Sequence, residues 1–301
     1  MTEISDTLQQ QLEAVAAKYR GALLAMPGIL DLGVGFRQRG KVLTDEPTLV
    51  VRVSRKVTAD KLTEDTAMPS SLDGIPVDVQ EVHEVSHALP TDRASQLVGG
   101  LYIRNVKRGG LGTLGAIVRD RTTGHLLGLS NHHVLLGRHF LFWGGRLGDA
   151  VVQPGSSRSD ADVIGTVLRG APWVDAAAFK IDGARPADPA TSLLGLKGRF
   201  AGVRDAKLGL RVVKSGARTG VTYGYVSFVS TLTVTIAPVA DRPALNGEIS
   251  MAGDSGAVWA SYEPDLRAVA LHRVGHDGNA ATEWAGGNLI ARVADALGVD
   301  F

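Results

Sequence analysis

The feature that most constrains the fold is a series of short, strand-like runs that fills the second two thirds of the chain. Turns that contain Gly, Asp, Pro and Ser separate these apolar and β-branched runs. The runs are Leu114–Val118, His125–Ser130, Ala150–Gln153, Val163–Leu168, Ala176–Ile181, Leu210–Lys214, Tyr223–Ile236, Ala257–Ser261 and Ala268–Arg273. Many short strands separated by turns are typical of a β-sandwich or β-barrel rather than of βαβ units. We therefore expect a mainly β fold with a C-terminal helix over Leu289–Leu297.

A different pattern precedes this region. Apolar residues recur at three- and four-residue spacing from Ile4 to Tyr19, which predicts an amphipathic helix that ends near Pro27. Three strands are predicted after it, at Ile29–Phe36, Thr48–Val53 and Ile75–Val79. The expected organisation is a small α/β N-terminal module over residues 1–84, a linker over residues 85–98 and the main β domain over residues 99–301.

Composition and charge exclude several classes of function. The 301 residues carry a net charge of +1 without a cluster of basic residues, so we expect no nucleic acid partner. The absence of cysteine removes disulfides, thiol catalysis and cysteine-ligated zinc. No apolar run approaches the ~20 residues that span a bilayer, and the first residues lack the pattern of a secretory signal. We therefore expect a cytoplasmic location without membrane contact.

The segment Gly253-Asp254-Ser255-Gly256 lies between two strand-like runs. A serine between glycines in a tight turn exposes its hydroxyl, and neighbouring backbone N–H groups can point at one spot, as an oxyanion hole requires. A glycine-rich hairpin turn without catalytic function is the alternative.

Two further residue types that serine catalysis needs stand upstream. His132 and His133 follow an apolar run, and Asp175 stands at the head of another. A buried aspartate is costly without a partner, and a histidine N–H is a suitable one. Serine hydrolysis uses a histidine base that a carboxylate orients, so these residues form a candidate constellation in the order His, Asp, Ser.

The ordered motifs resemble the trypsin-like serine peptidases of the chymotrypsin clan. They are Gly112-Thr113-Leu114-Gly115, Ser130-Asn131-His132-His133-Val134, Val174-Asp175-Ala176-Ala177 and Gly253-Asp254-Ser255-Gly256-Ala257. The similarity covers residues 99–301 and is greatest to a disulfide-free intracellular bacterial branch related to the plant Narrow-leaf peptidase. The stretch from Val213 to Gly220 resembles a Gly/Arg/Thr segment of that branch. The resemblance implies a double β-barrel with the active site between the barrels.

The same resemblance implies residue roles. His133 is the expected general base, Asp175 its orienting carboxylate and Ser255 the nucleophile, with the N–H groups of Gly253 and Ser255 as the oxyanion hole. His132 is the weaker candidate for the base, and only the family pattern separates the two histidines.

Two positions concern the substrate pocket. Ile249 stands six residues before Ser255, where tryptic relatives carry an acidic residue, so the resemblance does not extend to cleavage after Lys or Arg. His272 falls near a position where some relatives read an acidic or amide side chain, although an ordinary strand histidine is the favoured interpretation.

Leu97-Val98-Gly99-Gly100 is similar to the N-terminus that cleavage exposes in trypsin-like zymogens. If the chain were cut before Leu97, the freed amine could pair with Asp254. A turn entering a strand is the favoured interpretation of this segment.

The segment His83-Glu84-Val85-Ser86-His87 matches the H-E-x-x-H zinc peptidase signature. That chemistry requires a helix and a third ligand. Here the preceding residues alternate like a strand, Pro90 follows closely, and no glutamate appears again until Glu248. An exposed linker is therefore the favoured interpretation, and we expect no metal site.

These observations predict a serine endopeptidase that acts on protein or peptide substrates without a cofactor. The alternative from another class is a catalytically silent binding or scaffold module on a peptidase fold. We expect the N-terminal module to regulate access to the cleft or to mediate assembly, including a homo-oligomer. A simple structural brace is the equal alternative for its helix.

Overall fold

The structure is a computed structural model. It describes residues 3–26, 28–39, 42–53, 68–81, 92–107, 110–137, 145–182, 185–188, 193–244, 247–262, 265–275 and 283–301.

Most of the secondary structure is β. The helices are α1 (Asp6–Leu24), α2 (His132–Leu135) and α3 (Ile290–Leu297). The strands are β1 (Ile29–Arg39), β2 (Val42–Val53), β3 (Ser71–Leu72), β4 (Ile75–Glu81), β5 (Tyr102–Asn105), β6 (Leu111–Thr113), β7 (Ala116–Asp120), β8 (Leu126–Ser130), β9 (Ala150–Val152), β10 (Val163–Ala171), β11 (Ala176–Ile181), β12 (Phe200–Val203), β13 (Arg211–Gly216), β14 (Gly220–Val229), β15 (Thr233–Pro238), β16 (Val258–Ser261), β17 (Leu266–Gly275), β18 (Ala285–Leu289) and β19 (Val299–Asp300).

These strands form two barrel-like sheets. An 8-stranded sheet has the order β19-β7-β8-β11-β10-β9-β5-β6. In the 11-stranded sheet, the series β13-β16-β17-β18-β15-β14 closes on itself because β13 also pairs with β14. The predicted fold class is therefore confirmed: the chain is mainly β with two barrel-like sheets, the arrangement that the trypsin-like resemblance implies.

The two sheets share a core on which α3 packs. Its buried residues Ile290, Val293 and Leu297 lie at three- and four-residue spacing and face side chains from both sheets, including Leu129 and Val258. The helix ends at Gly298, whose left-handed conformation (φ 61°) is the usual glycine C-cap geometry. The predicted C-terminal helix is thus confirmed, one residue shorter at its start.

The N-terminal strands continue the 11-stranded sheet. Strand β1 pairs with β14 through Val34 and Val229, and β2 lies on the other side of β1. Helix α1 begins after Ser5, whose hydroxyl accepts from the Leu8 N–H at 3.3 Å, and it buries Leu12 in the core that β1 shares with the barrel. No helix in the described ranges has the length and apolar character needed to cross a bilayer. The boundaries of the predicted module and linker stay a prediction, because residues 82–91 lie outside the described residues.

One strand prediction was wrong. The run Tyr223–Ile236 contains two strands, β14 and β15, rather than one. The chain reverses at Ser230, whose N–H donates to the Thr233 carbonyl at 2.8 Å and whose hydroxyl accepts from the Thr233 N–H at 3.1 Å. Hydrophobic periodicity does not indicate this tight turn, because apolar residues lie on both sides of it.

The junction of β1 with β14 depends on a glycine. A Cβ on Gly33 would overlap the Val229 carbonyl and lie 2.6 Å from the Phe228 ring. We expect Gly33→Ala to lower the free energy of unfolding by about 1–3 kcal/mol, measured by chemical denaturation. Gly21→Ala is the control, because no atom outside its chain neighbours and the backbone of its own helix lies within 4 Å of its Cβ position in α1. This substitution should raise the free energy of unfolding by about 0.5–1 kcal/mol. Equal effects of the two substitutions would contradict this role of Gly33.

Candidate active site

The structure brings His133 and Asp175 together. His133 is the second residue of α2, and Asp175 follows a turn of 3₁₀ helix over Pro172–Val174. The Nδ1 atom of His133 lies 2.6 Å from Asp175 Oδ2, and the His133 backbone N–H donates to Asp175 Oδ1 at 2.9 Å. This double contact fixes the ring and places the proton of a neutral imidazole on Nδ1, which leaves Nε2 as the acceptor.

Asp175 has an unusual backbone conformation for a residue other than glycine, with φ 44° and ψ 45°. Aspartate tolerates this left-handed region better than most residues do. Its carbonyl accepts from Asn131 Nδ2 at 2.8 Å and from the His132 N–H at 3.0 Å. From the other sheet, Asn288 Nδ2 donates to the Val174 carbonyl at 2.6 Å. The backbone that carries this carboxylate is therefore held by contacts from both sheets.

The structure also separates the two histidines that the sequence left open. The His132 side chain lies against a different acceptor, with Nδ1 2.9 Å from the Gly137 carbonyl. Successive residues of a helix point about 100° apart, so only one of the two rings can face Asp175. That ring belongs to His133.

Ser255 contacts strand β6, against which Val134, the neighbour of His133, also packs. Its carbonyl accepts from the Thr113 N–H at 2.8 Å, and Gly112 fits between Val134 and Ser255, since a Cβ there would lie 2.5 Å from Val134 and 2.8 Å from the Ser255 carbonyl. Within the described part of the chain the Ser255 hydroxyl donates to the Arg273 carbonyl at 3.4 Å and not to His133. Catalytic hydrogen bonds are often unformed without substrate, and rotation about one side-chain bond redirects the hydroxyl.

The loop before Ser255 has the features expected of an oxyanion hole. Gly253 has a positive φ of 111°, which favours glycine, and its carbonyl accepts from the Thr113 hydroxyl at 2.7 Å. Among the residues that the structure describes, the N–H groups of Gly253 and Ser255 donate to no protein acceptor. Two unused N–H groups beside a serine hydroxyl can stabilise a developing oxyanion.

A buried ion pair that sequence reasoning missed supports this loop. Asp254 and Lys214 are both fully buried, and Lys214 Nζ lies 2.8 Å from Asp254 Oδ2. The carboxylate also accepts from the Thr219 hydroxyl at 2.6 Å and the Arg218 N–H at 2.9 Å. Burial acts to raise the pKa of Asp254, but the Lys214 charge and these hydrogen bonds outweigh it and lower the pKa to about 2. Lys214 thus already pairs with the carboxylate that a freed amine at Leu97 could have reached under the less favoured interpretation of that segment.

The two residues assigned to a substrate pocket are both buried. Ile249 is 1% exposed and packs in the core of the closed barrel. His272 is 2% exposed, and its Nδ1 accepts from Trp259 Nε1 at 3.3 Å. Burial, and then the Lys214 charge, lower the pKa of His272 to about 3, so its ring is neutral. This placement supports the interpretation of His272 as an ordinary strand histidine.

Glu283 is a second buried group that the sequence did not indicate. Its Oε1 accepts from the N–H groups of Ile249 at 3.1 Å and Ser250 at 3.3 Å. Burial and the neighbouring Glu248 raise the pKa of Glu283 well above its usual range. The H-E-x-x-H segment, with His83, Glu84 and His87, lies outside the described residues.

Known proteins resemble this chain in part. The family profile described as the NARROW LEAF 1 N-terminal domain matches residues 15–82. No curated protein sequence matches the chain. Similar solved structures include a Nocardiopsis protease, which is 17% identical over 68% of this chain and 97% of that chain, with a TM-score of 0.47. Thermobifida fusca protease A is 18% identical over 68% of this chain and 97% of that chain, with a TM-score of 0.49. A glutamic acid-specific serine protease is 18% identical over 68% of this chain and 99% of that chain, with a TM-score of 0.49.

The Lys214–Asp254 pair predicts a large effect of substitution. Lys214→Met leaves a buried carboxylate without its cation, so we expect the free energy of unfolding to fall by about 3–5 kcal/mol in denaturant titrations. Arg211→Met on the same strand is the control, because its ion pair with Asp241 is exposed and should contribute less than about 1 kcal/mol. Similar small losses in both variants would contradict the importance of the buried pair.

His272 predicts a dependence of stability on pH. Its pKa falls from 6.5 to about 3 on folding, so between these values the unfolded chain binds a proton that the folded chain does not. Stability should therefore fall as the pH falls from 6.5 towards 3, at up to about 1.4 kcal/mol per pH unit from this group. His272→Asn should flatten the slope measured by unfolding at several pH values, whereas His125→Asn, at an exposed position, should leave it unchanged. An unchanged slope in His272→Asn would rule out this assignment.

Proposed function

We propose that the chain is a serine endopeptidase that hydrolyses peptide bonds through Ser255, His133 and Asp175. The observation that carries the proposal is the 2.6 Å contact between His133 Nδ1 and Asp175 Oδ2. It is supported by a serine whose own N–H and that of Gly253 donate to no acceptor in the described residues. A base held by a carboxylate, a hydroxyl and a pair of free N–H donors are the parts that acyl transfer requires.

Each part has a step in the reaction. The Ser255 hydroxyl turns from the Arg273 carbonyl to His133 Nε2, which takes its proton as the oxygen attacks the substrate carbonyl carbon. The N–H groups of Gly253 and Ser255 bind the resulting oxyanion. His133 then gives the proton to the leaving amine, the C–N bond breaks, and an ester on Ser255 remains. Water, deprotonated by His133, hydrolyses this ester and restores the serine hydroxyl. Asp175 keeps the imidazolium oriented and stabilises its charge throughout.

The substrates proposed are proteins or peptides, and the mechanism needs no cofactor. A cytoplasmic location and a homo-oligomer stay predictions.

A catalytically silent scaffold is the second candidate function. The hydrogen bond from the Ser255 hydroxyl to the Arg273 carbonyl, in place of one to His133, is the observation that favours it. In a silent protein this bond would persist, and the hydroxyl would not react.

Labelling by a serine-directed fluorophosphonate separates the two functions. We expect the wild-type chain to be labelled and Ser255→Ala and His133→Gln to lose the label, because the first removes the nucleophile and the second its base. His132→Gln is the matched control and should keep the label. Asp175→Asn should lower kcat for peptide hydrolysis by about 10⁴, through loss of the correct histidine tautomer. A folded wild-type chain that reacts with no fluorophosphonate would support the scaffold and refute the peptidase.

A further inference from the structure

An arginine from the N-terminal strands, Arg52, is half-buried and forms no ion pair with any residue that the structure describes. The Arg52 guanidinium on β2 stacks on the Phe228 ring, 3.9 Å from Cζ to the ring centroid, and lies 5.8 Å from the Trp284 ring. It donates one hydrogen bond, to the Thr235 hydroxyl, and its buried Nε has no partner in the described residues. Burial lowers the pKa of Arg52 only to about 10, so it is charged at neutral pH. Enclosing a cation is costly unless an anion accompanies it.

The neighbouring carboxylate does not meet this need. Asp31 Oδ1 lies 2.8 Å from the Arg20 guanidinium and accepts from the Leu32 N–H at 2.9 Å. Its Oδ2 accepts from the Thr233 hydroxyl at 2.8 Å. The Arg20 guanidinium therefore already neutralises Asp31, and the charge of Arg52 remains in excess.

Arg52 lines a cavity of about 190 Å³ between the N-terminal strands and the closed barrel. Asp31, Arg273, Trp284 and Asn288 also line it. The Arg273 side chain is exposed and forms no hydrogen bond or ion pair within the described ranges. Among the described residues that line the cavity there are thus two arginines, Arg52 and Arg273, and the one carboxylate, Asp31, is paired with Arg20. Its volume is below that of pockets for drug-sized ligands and suits a single side chain or chain end.

One residue contacts both the cavity and the candidate active site. The backbone carbonyl of Arg273 accepts from the Ser255 hydroxyl at 3.4 Å, and Arg273 is one of the residues that line the cavity. This shared residue links a peptide bound at Ser255 to the cavity. Arginine binds carboxylates through paired, charge-assisted hydrogen bonds, for which both groups have free N–H donors.

We propose that this cavity, the Arg52–Arg273 cavity, binds a carboxylate of the peptide substrate, so that the N-terminal strands supply a specificity-determining residue. The inference rests on the proposed function and names its substrate class, peptides with an acidic side chain or a free C-terminal carboxylate near the scissile bond. It also gives the docking of β1 and β2 on the barrel a role in recognition.

The test measures binding separately from turnover. The full chain with Ser255→Ala is titrated with alanine-based octapeptides, acetylated and amidated, that carry Glu at each position in turn, and with matched Gln peptides. A Gln peptide with a free C-terminal carboxylate forms a further arm. We expect one Glu position or the free carboxylate to bind about tenfold more tightly than its uncharged counterpart, as expected for hydrogen bonds to a charged group. The arm that shows the gain identifies the source of the carboxylate.

Two variants locate the effect. Arg52→Gln and Arg273→Gln, each in the Ser255→Ala background, should abolish the tenfold gain, whereas Arg267→Gln, an exposed arginine on the same strand as Arg273, should keep it. Arg273→Gln keeps the test decisive if Arg52→Gln fails to fold, which a thermal unfolding curve shows.

Equal binding of charged and uncharged peptides, no binding of any peptide, or a gain that survives in a folded cavity variant would overturn the proposal. Fluorophosphonate labelling of the wild-type chain is the separate readout for the peptidase. A carboxylate preference in a chain that is never labelled would retain the binding site and refute the catalytic function.

Discussion

Hydrogen bonds at Thr113 hold the two sheets together at the point where the candidate site forms. This fully buried residue ends β6 of the 8-stranded sheet. Its N–H donates to the Ser255 carbonyl, and its hydroxyl donates to the Gly253 carbonyl and accepts from the Ala217 N–H at 3.0 Å. His133 and Asp175 lie on connections between strands of the 8-stranded sheet, and Ser255 lies in the loop before β16 of the 11-stranded sheet. Neither sheet alone therefore makes the site. The position of the serine relative to its candidate base follows from this junction.

The buried Lys214–Asp254 ion pair stabilises the same loop, Gly253 to Ser255, from the interior of the barrel. An ion pair in a protein interior gains little net stability over an apolar pair, because both charges lose their hydration. Here the pair fixes the geometry of the loop. The Asp254 carboxylate accepts hydrogen bonds from the backbone N–H groups of Met251, Arg218 and Thr219, around the turn that precedes Ser255. Each of these contacts fixes a backbone position, and together they set the direction of the N–H groups of Gly253 and Ser255.

Much of the architecture could be predicted from periodicity, because strands and helices are local patterns. The mainly β class, both terminal helices and the approach of His133 to Asp175 follow from such patterns or from the motifs. The partners of Lys214, Glu283 and Arg52 could not be predicted, since each contact joins residues far apart in sequence and depends on strand register. An interior lysine at the end of the apolar run Leu210–Lys214 was the one available signal. The choice between His132 and His133 likewise required the orientation of a single helical turn.

The attachment of β1 to β14 has a consequence for shortened forms of the chain. Without β1, the backbone of Phe228 and Val229 would lose its neighbour on one side, and the Phe228 ring would lose the guanidinium that covers it. An uncovered strand edge bordered by an aromatic ring is a template for association with other chains. The first two strands cover this edge of the barrel, so precipitation of a truncated chain would follow from the exposed edge and would not by itself report on regulation.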